Sequence, residues 1–215
     1  MTDRRESTGK LIADITMSLD GFITGPNAGV EYPLGEGGDR LHAWVYDLAT
    51  FREKHGQSGG ESNTDSEILD EVFESVGATI MGKRMFDVGV EPWGDDPPFH
   101  MPVYVLTHET REPLPREGGT TFNFVGDLEA SVGQARSAAG GKNVSVAGGA
   151  NVIQQFIKAG LLDEIQIHIA PVLIGDGIRL FEDTGTDHIE FKTTRVIDSP
   201  EVTHIRLQLA KTPQP

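Results

Sequence analysis

Cysteine is absent from all 215 residues, which excludes disulfides, thiolate metal sites and a cysteine nucleophile. That absence fits a reducing compartment such as the cytoplasm. Cations are also scarce: 18 lysines and arginines stand against 33 aspartates and glutamates, a formal net charge of −15. A chain this acidic has no general attraction for nucleic acid or for an anionic membrane surface. An anionic ligand must therefore be held by local cations or by backbone N–H groups. No apolar run approaches the roughly 18 residues that read as a membrane span. The opening MTDRRESTGK is polar with no apolar segment behind it, so it does not read as a signal peptide. What is present, 37% hydrophobic and 24% charged residues, is the composition of an ordinary globular chain long enough to bury a real core.

Along the chain, apolar runs alternate with helical periodicity. LIADITM (11–17) is β-like, and the SLDGFITGPN that follows it is rich in turn formers. DRLHAWVYDLATFREKHG sets Leu41, Trp44, Val45, Leu48 and Phe51 near helical spacing, which predicts one helix ending at Gly56. Residues 57–66 form a polar loop, and DSEILDEVFESVG predicts a second helix with acids in its first turn, where the helix dipole favours them. ATIMG, PVYVLTH and TTFNFVG read as strands, KRMFDVG as a helix start, and DLEASVGQARSAAGG as a helix with Asp127 as its N-cap. VSVAGG leads into the amphipathic ANVIQQFI. LLDEIQIHIAPVLIG predicts a long strand, and IEFKTTRVIDSPEVTHIRLQLAK a hairpin turning at DSPE. Strands alternating with helices and closing on a hairpin predict a mostly parallel sheet with an antiparallel edge.

Chemistry concentrates where strands end. VSVAGGANVIQQFI passes from strand through Gly148 and Gly149 straight into a helix. Such a junction offers free N–H groups at a helix N-terminus, suited to phosphate, or it is simply a tight turn. TIMGKRMF repeats the pattern, with Lys83 and Arg84 at the helix entrance, and VLTH ends a strand on Thr107 and His108, both able to donate to phosphate. Ile165, Ile167 and Ile169 alternate onto one strand face, so Gln166 and His168 share the other. Asp95 and Asp96 lack a nearby histidine partner and make a poor metal site, so no metal is expected.

The ordered set LIADITMSLDGFITG, ATIMGKRMFD, PVYVLTHE and VSVAGGANVIQQFIKAGLLDEIQIHIAPVLIGDGIRLF resembles the dihydrofolate reductase superfold. It is most similar to the branch containing the C-terminal reductase domain of the bifunctional bacterial riboflavin-biosynthesis protein. SLDG, GGAN and APVLIGDGIRLF are the specific pieces, and the similarity covers about residues 10–210 as one domain, between a flexible stretch 1–9 and a tail 211–215. The resemblance implies an α/β three-layer fold and an NADPH-dependent reductase acting on a small heterocycle, cytoplasmic and homodimeric. By position, Gly148, Gly149, Ala150, Asn151 and Val152 would cradle the cofactor diphosphate. Gly82, Lys83 and Arg84 would hold phosphate on the adenosine side, with Thr107 and His108 beside the 2′-phosphate. Thr16, Ile23 and Gly25 would line the nicotinamide pocket.

Two departures narrow the substrate. Where dihydrofolate reductases carry a pterin-binding carboxylate on their first helix, the LHAW match places Leu41, which argues against folate. GKRMFDVGVEPWGDDPPF only faintly resembles the substrate segment of the riboflavin-pathway enzymes, through Asp95, Asp96 and Pro97, and lacks the arginines for a ribosyl phosphate. A catalytic proton would come from Asp20, His168 or water; equally, Asp20 is an Asp–Gly turn residue and His168 a satisfied core histidine. A non-catalytic NADPH-binding sensor and a structural dimer module are the alternatives to a reductase.

Overall fold

The computed structural model describes residues 9–182, 184–185 and 188–210. The expected tail and all but Gly9 of the expected N-terminal stretch lie outside the described residues. A nine-stranded sheet runs through the chain in the order β10-β11-β8-β1-β7-β3-β4-β6-β5. β1 (Leu11–Ser18) lies between β7 (Asn143–Gly148) and β8 (Glu164–Ala170), parallel to both. β3 (Val76–Gly82), β4 (Pro102–Leu106) and β6 (Thr121–Val125) continue the parallel set beyond β7. The terminal hairpin of β10 (Phe191–Asp198) and β11 (Thr203–Leu209) adds antiparallel to β8, and the short β5 (Leu114–Pro115) closes the other edge antiparallel to β6. β3 and β4 read as near-continuous apolar runs because both their faces are covered, whereas β8 alternates isoleucines with Gln166 and His168.

The register assigns the faces. Ala78 and Ile80 of β3, with Tyr104 of β4, join the core beneath α5 (Leu128–Ala138) and α6 (Ala150–Lys158). Their alternating neighbours Met81, Val103 and Val105 join Phe122 and Phe86 on the opposite face, beneath α4 (Lys83–Gly89). A third cluster of Trp44, Val45, Leu48, Leu69 and Val202 forms under α1 (Ala43–Tyr46), α2 (Ala49–Lys54) and α3 (Thr64–Ser75). The result is a mostly parallel sheet with helices on both faces and an antiparallel C-terminal hairpin.

Three expectations need correction. The single helix predicted up to Gly56 is a 3₁₀ turn at Gly38–His42 followed by α1 and α2. Leu48 is extended (φ −74°, ψ 136°), and Glu61 takes the flanking backbone groups: its N–H donates to Asp47 O at 2.7 Å and its carbonyl accepts from Ala49 N at 2.8 Å. The apolar spacing survives because Leu41, Trp44, Val45 and Leu48 are all buried. The strand predicted over 161–175 is confined to β8: Pro171 supplies no N–H to continue the ladder. The turn-rich stretch after β1 contains β2 (Phe22–Thr24), which pairs antiparallel with β9 (Ile178–Arg179).

Candidate functional site

A cavity of about 780 Å³ opens along the carboxyl ends of β7, β3, β4 and β6, where an open α/β sheet places its ligands. Its size is that of a small-molecule site. Of the residues singled out from the sequence, Ile23, Gly82, Lys83, Arg84, Thr107, His108, Gly148, Gly149, Ala150 and Asn151 form its wall. Thr16, Gly25, Val152, Asp20 and His168 do not.

The β7–α6 junction explains its own glycines. Gly148 has φ 123°, a conformation side chains avoid, and its peptide to Gly149 is cis. Gly149 is different: φ −80° and ψ −169° are open to any residue, and a Cβ built there meets no described atom within 4 Å beyond its chain neighbours. Its φ and ψ, and its contacts beyond the chain neighbours, leave room for a side chain at 149. The space in front of it belongs to the cavity. Gly149 is the N-cap of α6, no side chain caps that helix among the described residues, and its first residues Ala150 and Asn151 line the same cavity. Gly82 opens α4 in the same uncapped manner, but there a Cβ would lie 2.8 Å from Val152 Cγ2. Val152 thus serves the site from behind, filling the room at Gly82.

The polar end of the cavity is lined by the cations Lys83 and Arg84, with carboxylates paired to the first of them. Lys83 pairs with Asp87, one helical turn on, and with Glu109 Oε1 at 3.3 Å, and these two carboxylates, Asp87 first, raise its pKa above the ordinary lysine value. Arg84 donates through Nη2 to the Ala28 carbonyl. Thr107 Oγ1 accepts from Glu109 N at 3.1 Å, and His108 is exposed. At the other end Ile15, Ile23, Leu34 and Ile178 make an apolar wall that includes His42. His42 Nδ1 is out of solvent contact with no hydrogen-bond partner among the described residues, and burial holds its pKa below 6.5. Sequence reasoning stopped one residue short, at the fully buried Leu41.

The other candidates have visible structural work. Asp20 accepts from Ser18 Oγ (2.6 Å), Ile174 N (3.1 Å) and Gly175 N (2.7 Å), clasping the loop after β8 to the loop after β1. The Ser18 hydroxyl, aided by those two amides, brings its pKa to about 2. His168, 1% exposed, faces away from Ile165 and Ile167 as its spacing predicts, but what covers that face is Trp44, 4.8 Å away between ring centroids. His168 Nε2 lies 3.0 Å from Asp14 Oδ1, and its Nδ1 lies 2.5 Å from His204 Nδ1. His204 Nε2 continues to Asp65 Oδ1 (2.9 Å), whose other oxygen accepts from Ser199 Oγ (2.9 Å). This buried chain ties β1, β8, the hairpin and α3 together. Thr16 accepts from Trp44 Nε1 at 3.3 Å beside it. At Gly25 a Cβ would lie 1.9 Å from the Glu36 carbonyl, so that glycine permits loop packing.

The fold is that of the dihydrofolate-reductase-like proteins. Dihydrofolate reductase of Enterococcus faecalis, solved with NADP(H), superimposes with a TM-score of 0.53 at 12% identity, over 94% of this chain and 97% of that one. A putative riboflavin biosynthesis protein from Shewanella sp. PV-4 gives 0.68 at 24% identity, over 94% and 99%. Within that fold, residues 9–205 match the RibD C-terminal domain, and the chain belongs to that family. The uncharacterized protein YyaP of Bacillus subtilis (strain 168) is 24% identical over 180 residues, 81% of each chain.

Proposed function

We propose that the protein is an NADPH-dependent reductase of a small heterocyclic compound bearing a C=N or C=O bond. The observation that carries this is the β7–α6 junction: a glycine at 149 with open cavity space where a side chain would point, set before a helix start with no side-chain cap among the described residues. A cofactor diphosphate in the cavity accounts for both, since it needs close backbone approach and donated N–H groups. Gly148, Gly149, Ala150 and Asn151 hold it. Lys83, Arg84, Thr107 and His108 surround the adenosine ribose. Ile15, Ile23 and Leu34 bound a dry space for the reacting rings. The bound dinucleotide supplies hydride; the protein supplies orientation and exclusion of water.

The proton that follows the hydride comes from water in this reading. Asp20 stays ionised and committed to its loop, and His168 is sealed beneath Trp44. Leu41, in place of a carboxylate, leaves a pterin amidine without its ionic partner, so dihydrofolate is a poor substrate. The family resemblance and the exposed outer strand β10, with Val196 58% exposed, support a homodimer built on the hairpin. Among the described residues no helix is long and apolar enough to cross a membrane.

Titrating the purified protein with NADPH, followed by a screen of pyrimidine, pterin and carbonyl compounds for loss of NADPH absorbance, tests the reading. Saturable binding with turnover of at least one heterocycle is expected. Absence of dinucleotide binding would reject it.

A further inference from the structure

We infer that Glu109 sets how strongly this site distinguishes a 2′-phosphorylated adenosine ribose from an unphosphorylated one; the inference rests on the cavity binding a dinucleotide as proposed above. From the sequence alone, Lys83 and Arg84 read as phosphate-binding cations or as two solvated surface charges. The structure places carboxylates against the first of them. The Lys83 ammonium is shared between Asp87, on its own helix, and Glu109, on the turn after β4.

Glu109 is held from several sides. Its Oε1 lies 3.3 Å from Lys83 Nζ, and its Oε2 lies 2.7 Å from Arg111 Nη2. Arg111 in turn lies over the faces of Phe86 and Phe124, with its guanidinium 5.9 and 5.4 Å from the ring centroids. The Glu109 backbone N–H donates to the hydroxyl of Thr107, a wall residue, so one turn fixes both groups relative to the cavity. Three cations, Lys83, Arg84 and Arg111, therefore meet two carboxylates at this end, and Arg84 is already committed to the Ala28 carbonyl.

The consequence is a balance. An incoming 2′-phosphate must draw Lys83 away from Glu109 and then lie near that carboxylate. A ribose 2′-hydroxyl meets no such repulsion and can donate its proton to Glu109, the arrangement by which acidic residues select unphosphorylated dinucleotides. Glu109 thus reduces the advantage that Lys83 and Arg84 give to NADPH. It is a specificity residue rather than a catalytic one.

The test compares Kd for NADPH and NADH by calorimetry in the native protein and in Glu109→Gln at low salt. Glutamine keeps the side chain's length, the Thr107 contact is made by the backbone, and Glu109 is exposed, so folding is expected to be unaffected. Removing one nearby charge should raise the NADPH-over-NADH preference about tenfold. The gain should lie in tighter NADPH, with NADH unchanged or weaker, and should shrink as salt is raised. If both cofactors bind and the ratio is the same in both proteins, Glu109 does not set specificity and the dinucleotide reading stands. If neither cofactor binds the native protein, that reading and this inference fall together.

Discussion

The four helices α3 to α6 begin in two ways, while α1 and α2, whose residues do not line the cavity, have no side-chain cap among the described residues. α3 and α5 close their own N-termini: Asn63 Oδ1 accepts from Asp65 N at 3.0 Å and Ser66 N at 3.1 Å, and Asp127 Oδ1 accepts from Ala130 N at 2.7 Å. α4 and α6 begin at Gly82 and Gly149 with no side-chain cap among the described residues. Asp127 makes the contrast sharp, because its neighbours Gly126 and Leu128 also reach the cavity wall. At one sheet edge, then, the protein satisfies the donors of one helix itself and leaves those of its neighbours for something else. A missing cap costs about 0.5–2 kcal/mol of stability. A chain that caps α5 with aspartate leaves α6 uncapped beside the cavity, and the proposed cofactor site gives that difference a reason.

The largest expected effect comes from abolishing the difference. Gly149→Asp puts a carboxylate at the N-cap of α6, where it accepts from the helix and fills the open space with negative charge. NADPH affinity should fall at least about 100-fold, the order expected when charge-assisted bonds are replaced by repulsion. The thermal midpoint and circular dichroism should be unchanged or slightly improved. Native affinity in this variant would remove the cradle from the account.

Next comes the polar end of the same cavity. Replacing Lys83 and Arg84 together by alanine removes the cations nearest the proposed 2′-phosphate, each such bond being worth about 1.5–3 kcal/mol before screening. NADPH should weaken by about tenfold or more while NADH changes little, as measured by parallel titrations. Equal losses for both cofactors would move these side chains to the shared diphosphate instead.

The capped helices supply the converse. Asn63→Ala should cost α3 about 1 kcal/mol in denaturant unfolding and leave NADPH binding unaltered. Coupled loss of binding would show that the two kinds of helix start are not independent.

The smallest effect is in pH. Burial lowers the pKa of both His42 and His204 below 6.5. The unfolded chain therefore takes up protons that the folded chain refuses, so stability is full above pH 6.5 and is lost as pH falls through the depressed folded values. The thermal midpoint should drop between pH 7.5 and 5.5, and His42→Gln should flatten that drop. A midpoint that rises on acidification would contradict the burial of these rings.

Much of this was legible in the sequence, for reasons that differ by element. β3, β4, β6 and β7 were readable as short runs rich in apolar residues, as was Asp127, whose cap bond spans three residues. The break between α1 and α2 was not, because it is made by Glu61, a partner brought in from the loop beyond. The alternation of β8 gave the face of His168 correctly, but not its cover: Trp44 and His204 arrive from distant segments, and only tertiary packing turns that face from a cleft into a core. Lys83 shows the same limit in miniature. Asp87 lies four residues on, within reach of simple helical spacing, whereas Glu109 comes from the next strand's end. Thr16 and Gly25 do not line the cavity, but each adjoins a residue that does, Ile15 and Thr24.

The central claim is that the open start of α6 receives the cofactor diphosphate while the capped starts do not. The most direct measurement is a ¹⁵N–¹H amide titration of the native protein with NADPH. The account predicts large shifts for Ala150 and Asn151, with Asp65, Ser66 and Ala130 essentially still. Saturable NADPH binding that leaves Ala150 and Asn151 unmoved would contradict it.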